Sequence, residues 1–162
     1  MNGEVSDVAM NALLFDRVLA SKQNLVVVET DDVPAVLDQF RQFARRSGQS
    51  IYTWQDDIGI TSLRESDVRV PGSKRMTDAL RYILQSMHFG IYLFPEATPH
   101  LRPPNTGLLR QIGRVKGGNE RKVVFISNKL SLPDSMDELA ERLSYAGVRP
   151  TRPRLRDGRW VL

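Results

Sequence analysis

The chain reads Leu25-Val26-Val27-Val28 and then Glu29-Thr30-Asp31-Asp32, and this stretch indicates the class of the fold. A short run of apolar, mostly β-branched residues is typical of a strand that is buried on both faces, as strands of parallel sheets are. An Asp placed two residues before Pro34 marks the start of a helix. The stretch therefore predicts a central parallel strand that leads into a helix.

Strands and helices alternate on both sides of this stretch. Apolar residues at helical spacing predict helices, and short apolar runs rich in β-branched or aromatic residues predict strands. The predicted helices cover residues 5–22, 32–47, 74–88, 107–115 and 134–145, and the predicted strands cover residues 25–28, 51–54, 89–94 and 122–126. We further predict a loop over residues 61–74, an extended proline-rich segment over residues 98–104 and a short edge strand over residues 159–162. This order predicts a three-layer α/β/α sandwich with a mainly parallel sheet of four or five strands.

The composition restricts the class of function. The chain has 162 residues, of which 41% are hydrophobic and 26% charged, so it is long enough for one domain with a full core. It has no Cys and two His, which excludes disulfides, thiolate metal sites, Cys nucleophiles and a three-His metal centre. No apolar run approaches about 18 residues and the first residues are acidic, so we expect no membrane span, no secretory signal and a cytoplasmic location. We expect a single α/β domain over residues 1–146 and a basic tail over residues 147–162.

The loop after the first strand lacks what a phosphate-binding loop needs. Such a loop uses glycines, which let backbone amides wrap the anion, and a Lys that reaches the terminal phosphates. Residues 29–34 contain neither, and Asp31 and Asp32 would repel a triphosphate. The favoured interpretation is that this Asp pair caps the next helix. The alternative is a hydrated Mg²⁺ ion that bridges it to a second pair, Asp56 and Asp57, after the second strand. We predict no cofactor.

Polar residues also follow the third and fourth strands. Four apolar residues precede Pro95 and Glu96, and the strand over residues 122–126 is followed by Ser127 and Asn128. These two patterns are similar to a Walker B strand followed by a sensor-1 strand, in which an acid polarises water and a polar side chain contacts the γ-phosphate. Glu96 and Asn128 are therefore candidate nucleotide-binding residues.

Together these segments resemble the RecA-like core of AAA-family ATPases, and in particular the degenerate N-terminal RecA-like domain of plastid and cyanobacterial AAA proteins. The resemblance extends over residues 13–145 and rests on the order and spacing of residues 25–30, 51–54, 59–60, 90–94, 108–110, 123–128 and 132–133. Family members carry a complete ATPase domain after this one. A Walker A loop is missing, and Glu96 follows Pro95 where an active ATPase has two acids. The resemblance therefore implies a bacterial, P-loop NTPase-like domain that does not hydrolyse ATP.

Basic residues form the main candidate binding surface. The net charge is +4, and the chain from residue 142 to its last residue has six Arg and one acid. Arg110 and Arg114 lie one helical turn apart, on the predicted face away from Leu108 and Ile112. The candidate partner- or phosphate-binding residues are Arg64, Arg69, Lys74, Arg75, Arg110, Arg114, Lys116, Arg152, Arg154 and Arg156. If they converge, they make one cationic surface, whereas dispersed they are ordinary solvated charges.

These observations favour a non-catalytic interaction module. We expect it to bind a protein partner, such as an ATPase or a regulatory assembly, through the arginine-bearing helix, the tail and the proline-rich residues 95–104. The second hypothesis is a nucleotide- or nucleic-acid-binding domain that uses the same cations for phosphates. The third is an ATPase with an atypical site built on Glu96 and Asn128. Tyr52 and Trp54 alternate along the second strand, so we expect them to pack in the core rather than to stack on nucleic-acid bases.

Overall fold

The computed structural model describes residues 14–65, 67–116, 121–133 and 136–145, and helices and strands alternate along them. The described part of helix α1 covers residues 14–20. It is followed by β1 (Leu25–Glu29), α2 (Val33–Ser47), β2 (Ile51–Gln55), β3 (Gly59–Ser62), α3 (Met76–Gln85), β4 (Gly90–Pro95), α4 (Asn105–Arg114), β5 (Arg121–Ser127) and β6 (Ala140–Ser144). Short 3₁₀ turns lie at Thr98–His100 and Met136–Leu139.

The strands of the described residues form one six-stranded sheet in the order β3-β2-β4-β5-β1-β6. β3 is antiparallel to β2, and the other neighbouring strands are parallel. β1 lies inside the sheet, where Val27 is opposite Phe125 on one side and Arg142 on the other. The predicted α/β class with a mainly parallel sheet is confirmed. The predicted number of four or five strands is too low, because β3 and β6 also belong to the sheet.

Helices cover both faces of the sheet, which gives the three predicted layers. On one face α1 and α2 bury apolar residues such as Val18 and Phe40, and on the other face α3 and α4 bury residues such as Ile83 and Ile112. Because both faces are covered, β1, β4 and β5 consist almost entirely of buried residues.

The predicted loop over residues 61–74 begins inside a strand. Gly59–Ser62 forms β3, which pairs with β2 as an antiparallel hairpin. Gly59 has a φ of 93°, and a Cβ at this position would lie 2.6 Å from Ser73 Oγ, so the hairpin requires glycine here. Ser73 Oγ accepts a hydrogen bond from the N–H of Ile60 at 2.9 Å, and Trp54 Nε1 donates to the Ser73 carbonyl at 3.0 Å. Through these two hydrogen bonds, Ser73 holds the last residues of the loop against the hairpin.

The prediction of a helix over residues 134–145 is wrong. Among the described residues, Met136–Leu139 forms a 3₁₀ turn and Ala140–Ser144 forms strand β6 beside β1. Met136, Leu139 and Leu143 have helical spacing, but Leu139 packs on the α3–α4 side of the sheet and Leu143 on the α1–α2 side. Packing outweighs local helix propensity because β6 satisfies the backbone groups along the second edge of β1.

The remaining expectations concern the proline-rich segment and residues beyond the described ranges. Residues 98–104 are not extended, since they contain a 3₁₀ turn and lead directly into α4. The predicted first part of α1, the tail over residues 147–162 and its edge strand lie outside the described residues. Across the described ranges, no helix has both the length and the apolar character needed to cross a membrane.

Candidate functional site

The carboxyl ends of the parallel strands meet at one edge of the sheet, which is where open α/β sheets bind their ligands. The strand order reverses between β1 and β5, since β1 connects to β2 on one side and β5 connects to β6 on the other. The segment that follows β1 contacts the end of β5, because the N–H of Thr30 donates a hydrogen bond to the Ser127 carbonyl at 3.0 Å. The candidate site is therefore built around this edge.

The first turn of α2 satisfies amides with its own residues. Asp32 Oδ1 accepts a hydrogen bond from the N–H of Ala35 at 3.1 Å, and the Asp32 carbonyl accepts one from the N–H of Val36 at 3.3 Å. Pro34 has no N–H to offer, and Thr30 Oγ1 accepts the N–H of Asp32 at 3.0 Å. The predicted capping role of Asp32 is confirmed. This turn presents a carboxylate at the place where a phosphate-binding loop presents N–H groups.

The other acidic candidates lie around the same edge. Asp31 is exposed next to Asp32, and Asp56 and Asp57 are exposed after β2. Asp56 approaches His100, with 3.8 Å between Oδ2 and Nε2. Within the described parts of the chain, no group of three or more His, Cys, Asp or Glu residues is arranged to hold a metal ion. These residues thus give no geometric support to a metal bridge between the two Asp pairs.

A cleft of about 360 Å³ opens at the carboxyl ends of β2 and β4, beside the start of α2. Its lining consists of apolar side chains, one amide, two acids and one His: Val33, Pro34, Leu37, Trp54, Gln55, Asp56, Pro95, Glu96 and His100. Glu96 has a φ of 52°, and its N–H donates to the Ile126 carbonyl at 2.9 Å, which fixes the turn after β4 against β5. The cleft brings together Asp56, a candidate metal ligand, and Glu96, a candidate nucleotide-binding residue.

His100 also lines this cleft, although it is not among the site residues predicted from the sequence. Its ring meets the Trp54 ring edge to face, with 5.1 Å between the centroids, and its carbonyl accepts a hydrogen bond from Asn105 Nδ2 at 2.9 Å. An extended proline-rich segment would carry His100 away from the strand ends, whereas the 3₁₀ turn keeps it there. The sequence signal for its location is its position shortly after Glu96, which itself follows a strand that ends at the carboxyl edge of the sheet.

Asn128 directly follows β5 and is exposed. Because β4 and β5 are neighbours, Asn128 and Glu96 lie at the ends of adjacent strands. Of these two candidate nucleotide-binding residues, Glu96 lines the cleft. Their proposed contact with a nucleotide stays a prediction.

Two of the basic candidates lie near the β2–β3 hairpin. Arg64 follows β3 and its Nη1 donates a hydrogen bond to the carbonyl of Gly48, just past the end of α2, at 3.1 Å. Arg64 also lies 3.6 Å from the carboxylate of Glu65. Arg69 is exposed and its backbone bridges to Thr61 of β3. Both residues are therefore exposed at the surface near the hairpin.

The other described basic candidates lie before α3, within α4 and at the end of α4. The two helices begin side by side, because Thr77 Oγ1 donates a hydrogen bond to Asn105 Oδ1 at 2.6 Å. Lys74 and Arg75 precede α3, Arg110 lies within α4, and Arg114 and Lys116 lie at and after its last turn. A ten-residue helix is about 15 Å long, so the structure does not bring the residues before α3 together with those at the end of α4. Arg152, Arg154 and Arg156 lie outside the described residues.

The aromatic residues of β2 pack inside the domain. Trp54 is 2% exposed and stacks on Phe94, with 5.5 Å between the ring centroids. Tyr52 is half-buried and stacks on Tyr92 at 5.1 Å. The prediction that both residues contribute to the core is confirmed.

The comparison with known proteins agrees with the fold. A model of the family described as SpoVK-like AAA ATPase, N-terminal domain, matches residues 12–145. No curated protein and no solved structure matches the chain. The family match covers the described sheet, both helical layers and the cleft, and it agrees with the resemblance to AAA proteins. The chain therefore belongs to the family of SpoVK-like AAA ATPase N-terminal domains.

Proposed function

We propose that this domain is a non-catalytic interaction module. It binds a protein partner, such as an ATPase or a regulatory assembly, through an arginine-bearing surface. The first turn of α2 is the observation that carries this proposal. A phosphate-binding loop would have to present amides at this position, but Asp32 caps the turn and Pro34 has no N–H. A nucleotide bound there would place its phosphates against a carboxylate.

The surface that we propose for partner binding is the α4 cationic face, formed by Arg110, Arg114 and Lys116. Leu109 and Ile112 anchor α4 in the core, while Arg114 and Lys116 are exposed. Val115 lies between these two cations and is 39% exposed, so the face combines charge with an apolar contact. Arg beside exposed apolar side chains is typical of protein–protein interfaces.

Calorimetry tests the non-catalytic half of this proposal. We expect no binding of ATP or ADP to the purified chain at low salt, with or without Mg²⁺, because the first turn of α2 presents the Asp32 carboxylate and not an amide cradle to the phosphates. Binding at micromolar affinity would overturn the proposal and make Glu96 and Asn128 the next residues to replace.

Charge reversal tests the α4 cationic face. We expect Arg110→Glu together with Arg114→Glu to abolish capture of a protein partner by the tagged chain. Arg45→Glu with Arg46→Glu is the matched control, since both residues are exposed in the last turn of α2. Equal capture by both double variants would contradict the assignment. If the chain instead binds nucleic acid without any protein partner, and its affinity falls steeply as the salt concentration rises, the second hypothesis is supported.

A further inference from the structure

The cleft at the carboxyl edge of the sheet carries the opposite charge from the α4 cationic face. Its anionic groups are the exposed carboxylates of Asp56 and Glu96. Asp56 comes from the end of β2 and Glu96 from the end of β4, so two separate strands direct acids to one opening. This arrangement repels phosphate and attracts a cation.

The walls of the cleft are suited to an organic cation rather than to a bare ion. Val33, Pro34 and Leu37 of α2 line one side, and Trp54 and Pro95 line the strand side. A volume of about 360 Å³ is at the lower end of the range for small-molecule sites. Space of this size fits one long side chain and part of its neighbour, with apolar walls for the stem and carboxylates for the charged end.

We propose that this cleft binds an arginine-bearing peptide segment of a partner protein, with the guanidinium paired to Asp56 and Glu96 and the adjoining apolar part of the peptide against Leu37 and Pro34. Arginine fits better than lysine because its planar guanidinium pairs with carboxylates through two donors at once and is weakly hydrated. This cleft lies apart from the α4 cationic face. The inference therefore goes beyond the proposed function and adds a second protein-binding surface of opposite sign.

A binding assay with a defined peptide tests this assignment. The probe is a short blocked, fluorescently labelled peptide with one Arg between Leu and Pro residues, titrated with the full chain and followed by anisotropy. We expect Asp56→Asn with Glu96→Gln to weaken binding roughly ten- to a hundredfold, the range for charge-assisted hydrogen bonds. The same peptide with citrulline, which has the shape of arginine without its charge, is expected to lose roughly as much.

The matched control removes two other carboxylates. Asp38→Asn with Asp78→Asn makes the same change in net charge on the surfaces of α2 and α3, and their side chains are 56% and 45% exposed. We expect this variant to bind the probe within about twofold of the unmodified chain. Weakening equal to that of the cleft variant would overturn the proposal, because the peptide would then respond only to overall charge. Equal binding of the arginine and citrulline peptides, or no binding of either, would overturn it as well.

Two further variants separate this proposal from others. Arg110→Glu with Arg114→Glu is expected to leave the affinity for the probe unchanged, so failure of the α4 cationic face and failure of the cleft are distinguishable. Replacing the chain's own later arginines, Arg149, Arg152, Arg154, Arg156 and Arg159, by Gln tests another occupant. A gain of about tenfold in probe affinity would show that this segment competes for the cleft, and it would overturn the assignment to a partner.

Discussion

Lys122 illustrates how position changes the role of a charged residue. It is fully buried in β5, and its Nζ donates hydrogen bonds to the carbonyls of Ser21 at 2.6 Å and Gln23 at 3.0 Å. Burial lowers the pKa of this ammonium, and the nearby Glu141 carboxylate opposes that shift. The sequence shows only a Lys at the start of an apolar run. That it reaches back to the segment after α1 depends on the pairing of β5 with β1.

We expect Lys122→Ala to lower the free energy of unfolding by about 2–4 kcal/mol, because it leaves a cavity and two carbonyls that lose a charged donor. Urea unfolding measures the loss. Lys22→Ala is the control, since Lys22 is exposed in the same neighbourhood, and it is expected to stay within about 0.5 kcal/mol. Similar losses in the two variants would show that the buried contacts of Lys122 add nothing.

Tyr92 gives a prediction that depends on pH. It is 3% exposed, and burial raises its pKa to about 12, although the hydrogen bond with Ser86 opposes this shift. In the unfolded chain the pKa is about 10, so the folded state holds this proton more tightly.

The stability that results from the raised pKa of Tyr92 is fully present below about pH 10 and is lost as the pH rises toward 12. We expect the stability advantage of the unmodified chain over Tyr92→Phe to shrink by about 1–2 kcal/mol across this range. Unfolding by urea at several alkaline pH values measures it, and a constant difference would contradict the burial argument.

At the scale of one element, α2 shows what sequence signals fix well. Asp32 and Pro34 set its start, and Gly48 with a φ of 71° sets its end, where its N–H donates to the Ala44 carbonyl at 3.0 Å. Both ends depend on the chemistry of residues inside the segment itself, so they are predictable from sequence.

We expect Asp32→Ala to cost about 1 kcal/mol of folding free energy, because the N–H of Ala35 loses its acceptor. Asp32→Asn should retain most of the stability, since Asn caps helices about as well as Asp. Thermal unfolding of the three chains decides the matter. If the Asn variant were as unstable as the Ala variant, negative charge rather than the cap would hold the helix start.

Strand β6 shows what sequence signals cannot fix. The spacing of Met136, Leu139 and Leu143 is that of a helix face, and nothing within the segment indicates that β1 needs a second neighbour. β3 escapes detection for a related reason, since four residues are too short for an alternating pattern to stand out. Strand β6 is determined by its pairing with β1, which is distant in sequence. Strand β3 is determined by its hairpin with β2, whose turn is required only in the folded chain.

A double-mutant cycle on Leu139 and Leu143 separates the strand from the predicted helix. The two residues pack on opposite faces of the sheet. We therefore expect the losses in unfolding free energy from Leu139→Ala and Leu143→Ala to add within about 0.5 kcal/mol. On a helix these residues would be neighbours on one face, and a larger coupling energy would contradict the strand.

At the scale of the whole molecule, the sequence predicts that acids follow the strands but not which of them meet. Asp56 and Glu96 line one cleft because β2 and β4 are adjacent in the sheet, although α3 and its preceding loop separate them along the chain. The basic clusters show the converse. Arg75 and Arg114 are both candidates for one cationic surface, but they lie at opposite ends of the α3–α4 layer. Strand order is a global property, so the site becomes visible only with the topology.

The two helical layers share β1, β4 and β5, and this predicts that they unfold together. Phe40 of α2 is 2% exposed on one face of the sheet, and Trp54 reports from the other face. We expect Phe40→Ala to lower stability by about 3–5 kcal/mol, and to shift the midpoint of Trp54 fluorescence as far as that of far-UV circular dichroism. Trp160→Phe serves as the background, because the chain has two Trp and Trp54 then reports alone. Gln42→Ala, an exposed change on the same helix, should shift neither midpoint. If the fluorescence midpoint stays in place while the dichroism midpoint falls, each helical layer unfolds independently of the other. Coincident shifts are expected because every central strand contributes alternate residues to both cores.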